Sequence, residues 1–327
     1  MEFDDNEGSK PTMGFDEVNE LGKRIRSEWG LFKKNYELFT LGLPGLAFIF
    51  IFSYLPMLGI IMAFKDFHYD KGIWGSAWVG FKNFEFFFVS DTAFRITRNT
   101  VLYQAGYLFF TTVFSLAFAV MLNEISRKSV KVYQTALFLP YFLSWVVVYY
   151  IVFTLLDLKN GLLNTVLAAF GAEPHNWYLE SGPWPYILNI VSLWKNIGFS
   201  TLVYFAAIIA ISPEYYEAAR IDGATRWQMA RKITIPLITP IISILLILSV
   251  GGLVSGDFGL HYFIPNNSGM TFPTTDIIDT YVYRALTKLG DVGMASAVGL
   301  FQSTVGLVLV LLANAMAKRL NPENSLW

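Results

Sequence analysis

Cysteine is absent from the 327 residues, which excludes disulfides, thiolate metal sites and cysteine nucleophiles. Histidine is nearly so. His68, His175 and His261 are too scattered for a histidine metal cluster. Charge is scarce as well: Asp, Glu, Lys and Arg make up 15% of the chain, against about 25% in soluble domains. With 54% hydrophobic residues and a mean hydropathy of +0.46, the composition points to a membrane protein. The formal net charge of −1, with no basic patch interleaved with aromatics, gives no sign of nucleic-acid binding. No stretch reads Gly, four residues, Gly-Lys-Ser/Thr, so a phosphate-binding loop is missing and the chain cannot hydrolyse ATP itself. Asp276 and Asp279 stand at helical spacing in a loop, where a solvated or capping role is expected rather than acid–base catalysis. No catalytic constellation, metal site or cofactor is expected in this chain. The N-terminal region is polar and lacks a small-residue cleavage site ahead of a short apolar core, so no cleavable signal is expected.

What the chain does have is long apolar runs. Six are long enough to cross a bilayer, which takes about 20 residues: 38–63, 99–122, 133–156, 186–211, 235–256 and 297–317. Pro56, Pro140 and Gly251-Gly252 interrupt three of them, which spanning helices tolerate when neighbours satisfy the freed backbone groups. Lysine and arginine set the orientation. They crowd the N-terminal tail, the loop at 123–132 (Arg127, Lys128, Lys131), the loop at 212–236 and the C-terminus (Lys318, Arg319). With six spans all of these fall on one side, so both termini are expected to be cytoplasmic. The expected organisation is a cytoplasmic N-terminal tail with an interfacial basic helix over 1–37, and a first span with a long outer loop over 38–98. A five-helix core follows over 99–317, then a cytoplasmic tail over 318–327. The outer loops are rich in aromatics, among them Trp74, Trp78 and Phe81, then Trp177, Tyr178 and Trp184. These form either an interfacial belt or a landing surface for an external protein.

The segment 212–236 is a polar island between two apolar runs. Ser212 can cap a helix with Pro213 at its first position and Glu214 in its first turn. Asp222-Gly223 is a turn signal, and Gly223 can take the left-handed conformation that stops a helix. Thr225 with Gln228 is a capping box that starts a second short helix. Ala218 and Ala219 allow another surface to pack close to the backbone, and Glu217 offers it a charge.

Glu217-Ala218-Ala219, three residues, Gly223, nine residues, Ile233-Thr234-Ile235-Pro236 resembles the Glu-Ala-Ala loop of ABC importer permeases in every fixed position. The resemblance implies that Glu217, Ala218, Ala219, Asp222, Gly223 and Pro236 dock on, or shape the loop that docks on, a cytoplasmic ATPase. Further passages widen it, among them Ala63-Phe64-Lys65-Asp66-Phe67, Leu139-Pro140-Tyr141-Phe142-Leu143-Ser144-Trp145, Thr280-Tyr281-Val282-Tyr283-Arg284 and Ser325-Leu326-Trp327. The chain resembles the permeases of the carbohydrate-uptake, maltose permease-like family. Within it, the similarity is to the subfamily that handles complex oligosaccharides of alginate or pectin type. The stretch Val254-Ser255-Gly256-Asp257-Phe258-Gly259-Leu260 departs from that family's pattern.

The resemblance implies an all-α polytopic membrane protein with six transmembrane helices and the type I ABC importer permease fold, in the bacterial cytoplasmic (inner) membrane. It also implies a second, homologous permease as a heterodimer partner, an ATPase dimer holding ATP and magnesium, an extracytoplasmic solute-binding protein and an oligosaccharide substrate. A stand-alone ion-driven transporter would need intramembrane acids, which the spans almost lack. A membrane-embedded enzyme would need a polar cluster at membrane depth.

Polar groups inside spans are costly and become candidates for the substrate path. Lys195, within Trp194-Lys195-Asn196, either lines the path, where it would favour an acidic saccharide, or pairs with an acid across a subunit interface, or snorkels. Trp194, Trp145, Tyr149 and Tyr204 can stack on sugar rings or pack between helices. Asn189, Ser192, Asn196, Ser200 and Gln302 suit either pore lining or interhelical hydrogen bonds. Gly251, Gly252 and Gly256 would let the fifth span unwind or let a neighbour approach closely.

Overall fold

The computed structural model describes residues 34–320, 325 and 326. The expected basic helix of the N-terminal tail lies outside the described residues. The chain divides into two compact units, Met1–Gly59 and Ile60–Trp327.

In the first unit, α1 (Tyr36–Ile49) passes into a π-helical turn, Phe50–Tyr54. Pro56 is the cause: it has no N–H and its ring crowds the Phe52 carbonyl, so the hydrogen-bond ladder loosens there. Apolar side chains of α1 are exposed all round, Leu41, Leu46 and Phe48 among them. A helix apolar on every side is suited to lipid.

In the second unit, the stretch expected as an outer loop folds back on itself. Strands β1 (Lys65–Asp66) and β2 (Ala77–Trp78) pair antiparallel, with Lys65 opposite Trp78. The buried Lys65 ammonium donates to the carbonyls of Ile73 (2.8 Å) and Trp74 (3.3 Å). Asn83 Nδ2 donates to the carbonyls of Ala63 (3.0 Å) and Lys65 (2.9 Å). These side chains satisfy backbone groups that so short a strand pair leaves open.

Helix α2 (Asp91–Glu124) begins well before the apolar run at 99, because its first turns bury Ile96 beside Ile278, Met294 and Val298. The run 133–156, expected to cross as one interrupted span, is two helices. The pair α3 (Arg127–Phe138) and α4 (Trp145–Leu156) is bent by 99°. Pro140 cannot donate into the ladder, Leu143 and Ser144 are extended, and Ser144 Oγ accepts the Val147 N–H at 3.3 Å to start α4 afresh. Among the described residues, five helices are long and apolar enough to cross a membrane, or six if the bent pair counts as one.

Helix α5 (Trp184–Ile209) packs along α2 and against the end of α3. A Cβ at Gly198 would stand 2.1 Å from the Leu137 carbonyl oxygen, so only glycine fits where α5 meets α3. Trp184, expected in an interfacial belt or a landing surface for an external protein, is fully buried, with its indole N–H donating to the Trp177 carbonyl at 2.9 Å. After α6 (Pro213–Ile221) comes α7 (Arg226–Gly251), which starts earlier than the apolar run and ends at Gly251-Gly252 rather than reaching 256. Two short helices, α8 (Phe258–Phe263) and α9 (Ile278–Arg284), precede α10 (Val292–Leu320). Asp276 is not solvated: both of its oxygens meet Arg284 Nη2, at 2.7 and 2.6 Å, and Arg284 lies over the Phe272 ring at 4.1 Å. Asp279 Oδ2 likewise accepts the Gly256 N–H at 2.7 Å.

Candidate functional site

A cleft of about 340 Å³ lies between α2, α5 and α7. Its polar character comes from helical spacing. On α5, Ser192, Asn196, Ser200 and Tyr204 recur every fourth residue and share a face. On α2, Gln104, Thr111 and Thr112 occupy one stripe beside Tyr107 and Leu108. Ser249 of α7 and Asp257 complete the lining. Buried polar groups on the other faces of α2 and α5, such as Asn99, Ser115 and Lys195, are bonded to backbone carbonyls instead.

Its wiring is set from behind. His261 is buried, and its Nδ1 lies 2.8 Å from the Thr275 carbonyl. A carbonyl only accepts, so Nδ1 carries the proton. Burial holds the imidazole pKa down to about 4, so the ring is neutral and Nε2 is a lone-pair acceptor. Tyr107 Oη, 3.0 Å away, must therefore donate to it. Asp257 caps α8, with Oδ1 accepting the Leu260 N–H at 3.1 Å. Burial raises the Asp257 carboxyl above the usual carboxylate range, opposed by the Leu260 and Gly259 amides and by the charge of Lys195.

Lys195 sits behind the cleft rather than in its lining. It is buried, and its Nζ donates to the Tyr141 carbonyl at 2.8 Å, with the Trp145 ring centroid 5.1 Å away. In an unbroken helix that carbonyl would accept from the residue 145 amide; the bend at Pro140 frees it and Lys195 takes it. Trp194 is exposed on the outside of α5. Trp145 is pressed on Gly259, where a Cβ would stand 2.0 Å from the indole. Tyr149 packs between Tyr150 and Phe153, and Asn189 lines a separate apolar groove while donating to the Pro185 carbonyl at 2.7 Å. Gly251 receives α10: a Cβ on Gly306 would stand 2.6 Å from its carbonyl oxygen. Gly252 caps the end of α7, Gly256 packs on Ile277, and Gln302 Nε2 donates to the Val254 carbonyl at 2.7 Å. Of the sequence candidates, Ser192, Asn196, Ser200 and Tyr204 are brought together. Gln104, Thr111 and Thr112 were missed, although three polar residues on one stripe of an apolar run are a legible signal. Tyr107, His261 and Asp257 had none.

At one end of the bundle lies the 212–236 segment. Ser212 makes no side-chain capping bond, contrary to expectation: with Pro213 at the first position, α6 starts without it. Gly223 has φ +78°, the left-handed turn that ends α6. Thr225 and Gln228 form the full capping box, Gln228 N–H to Thr225 Oγ1 at 3.3 Å and Thr225 N–H to Gln228 Oε1 at 2.7 Å. The helix it starts is not a separate short one. It continues through the π turn Ala230–Thr234 and Pro236 into the rest of α7. Glu217, Ala218, Asp222 and Pro236 are exposed and Ala219 is half-buried. Glu217 and Arg220 border a groove of about 870 Å³ shared with Glu124, Lys131 and Arg226, and Arg226 pairs with Glu124 at 3.3 Å. Among the described residues, no group of three His, Cys, Asp or Glu is placed to hold a metal.

Residues 111–322 match the family described as "Binding-protein-dependent transport system inner membrane component". The chain is 39% identical to the polygalacturonan/rhamnogalacturonan transport system permease protein YteP of Bacillus subtilis (strain 168), covering 92% of this chain and 93% of that protein. It is 36% identical to Protein LplB of the same organism, covering 89% and 91%. Among solved structures it is similar to a chain of a bacterial ABC transporter involved in the import of the acidic polysaccharide alginate. The TM-score is 0.82 at 34% identity, covering 90% of this chain and 99% of that one. A structure of the bacterial alginate ABC transporter in complex with alginate pentasaccharide-bound periplasmic protein is matched at TM-score 0.80 and 34% identity, covering 89% and 97%. A bundle of apolar helices, a polar cleft within it and these relatives lead to one assignment: the chain belongs to the binding-protein-dependent transport system inner membrane components, as a multi-pass ABC importer permease subunit and not an enzyme.

Proposed function

We propose that the chain is one half of the translocation path of an ATP-driven oligosaccharide importer, with a substrate of alginate or pectin-derived type, working by alternating access. The observation that carries the reading is the polar cleft between α2, α5 and α7, a wet-sided surface in a chain otherwise built for lipid. Uncharged hydroxyl and amide groups suit a sugar, which offers many hydroxyls and must be held weakly enough to leave. The saccharides named for YteP and for the alginate transporters support the substrate class.

In this reading a second, homologous permease closes the other half of the path, a periplasmic binding protein delivers the saccharide, and two ATPase subunits carry ATP and magnesium. The pairing of a binding protein with the alginate transporter supports the second of these. The exposed Glu217–Gly223 turn is the lever through which ATPase closure reaches the spans, with Ala218 and Ala219 admitting the partner close to the backbone and Asp222 and Pro236 shaping the loop. The lysine and arginine distribution supports a cytoplasmic position for this turn and for both termini. Rocking of packed helices then exchanges inward- and outward-facing states. Lysine exchange at Glu217 in the reconstituted assembly tests it: Glu217→Lys abolishes saccharide-stimulated ATP hydrolysis while the subunit stays inserted. Uptake that persists after ATP depletion, with an ion gradient intact, overturns it.

A further inference from the structure

The cleft has a hydrogen-bonding polarity of its own, and it bears on which part of a saccharide this chain meets. Of its polar lining groups, several have already spent their donors on the protein. Tyr107 Oη donates to His261 Nε2, because Nδ1 is committed to the Thr275 carbonyl. Asn196 Nδ2 donates to the Ser192 carbonyl at 3.0 Å. Ser249 Oγ donates to the Leu245 carbonyl at 2.8 Å. Tyr107 and Ser249 retain only lone pairs, on a phenol and a hydroxyl oxygen, while Asn196 keeps its amide oxygen and a second N–H. Asp257 adds a carboxylate and is the only charged residue in the lining among the described residues. Gln104, Thr111, Thr112, Ser192, Ser200 and Tyr204 can donate or accept and so do not decide the polarity. The nearest candidate cation, Lys195, is turned to the Tyr141 carbonyl behind the cleft. A uronate carboxylate, itself an acceptor and an anion, would meet acceptors and a like charge here; a hydroxyl-bearing neutral ring would meet partners for its O–H groups.

We infer that this chain's side of the cleft holds a neutral, hydroxyl-rich sugar ring, read by Asp257 and by the oriented oxygen of Tyr107, and disfavours a uronate carboxylate. The inference rests on the proposal that the cleft is the saccharide path. In a mixed saccharide the uronate rings then face away from Asp257, toward the opposite half of the path.

The test uses the complete transporter, reconstituted with its binding protein and given a neutral oligosaccharide or an all-uronate oligosaccharide of equal length. Each variant's uptake is taken relative to wild type on the same saccharide, so that the binding protein's own preference cancels. Asp257→Asn keeps an N-cap acceptor for α8 and removes the charge. It is expected to lower uptake of the neutral saccharide about tenfold while leaving or raising that of the all-uronate one. Gln104→Lys, at a side chain with no hydrogen bond among the described residues, is expected to raise relative all-uronate uptake. Equal or greater loss of the all-uronate saccharide in Asp257→Asn, with no gain in Gln104→Lys, overturns the inference while leaving the path in place. If Asp257→Asn, Gln104→Lys and Asn196→Ala all leave uptake of both saccharides unchanged, the cleft is not the path and the inference falls with that reading.

Discussion

Lys195 Nζ donates to the Tyr141 carbonyl oxygen across 2.8 Å and so closes the break between α3 and α4. One side chain of α5 thereby supplies a donor that the bent helix pair has lost, at a distance of 54 residues along the chain. The ammonium also lies 5.6 Å from the Tyr141 ring centroid and 5.1 Å from that of Trp145.

Lys195→Met is expected to lower the stability of the purified subunit by about 2 kcal/mol, the size of a hydrogen bond to a charged group. Lys195→Arg should recover part of the loss. Thermal unfolding in detergent measures both. The relative uptake of neutral and acidic saccharides should not move, because the amine is committed to the backbone.

Gly198→Ala is expected to destabilise by about 2 kcal/mol or more, since the added methyl meets the Leu137 carbonyl and the α3–α5 contact must open. Gly299→Ala, where a Cβ meets nothing within 4 Å, is the matched control and should be neutral or slightly stabilising. Equal melting temperatures for the two variants would count against the close packing.

Gly223→Ala places a Cβ on a residue at φ +78° and is expected to strain the turn by about 1 kcal/mol. Global unfolding should change little, because the turn is exposed. Saccharide-stimulated ATP hydrolysis by the assembly should fall well below wild type, with basal hydrolysis retained. Unchanged stimulation would separate the turn's geometry from coupling.

His261 gives the protein a pH dependence of known sign. Its folded pKa, about 4, lies below the ordinary histidine value, so below pH ~6.5 the unfolded chain takes up a proton that the folded one refuses. The contribution is fully present above pH ~6.5 and is lost between there and pH ~4, amounting to about 3 kcal/mol. Asp257 and Asp279, whose carboxyls are raised chiefly by burial, act in the opposite direction as pH falls. Subtraction isolates the histidine: the melting temperature of wild type minus that of His261→Gln should decline across this window. A flat difference would show that His261 is protonated or reachable by water.

How much of this was legible in the residues differs from element to element. Spans 99–122, 186–211 and 297–317 were readable because an apolar run of sufficient length is a local property, and each is a helix in the structure. The turn at 222–228 was equally readable. Asp-Gly and the Thr225–Gln228 box act within a few residues, and both took the expected form. Where local signals misled, a neighbour was responsible. Pro140 read as a tolerated interruption, yet with Ser144 restarting the helix and Lys195 meeting the freed carbonyl, a 99° bend became stable. Trp184 read as part of an interfacial belt or of a landing surface, yet the helices around it made it core.

The residues alone therefore determined the class of the protein, most of its long apolar helices and the shape of the exposed turn, since each depends on runs, periods and caps that span no more than one helix. The cleft, the direction of Tyr107's proton and the place of Lys195 were decided only when α2, α5 and the 257–275 segment came together. Tyr107 and His261 are 154 residues apart, and no local preference reports a hydrogen bond between groups that only folding makes neighbours.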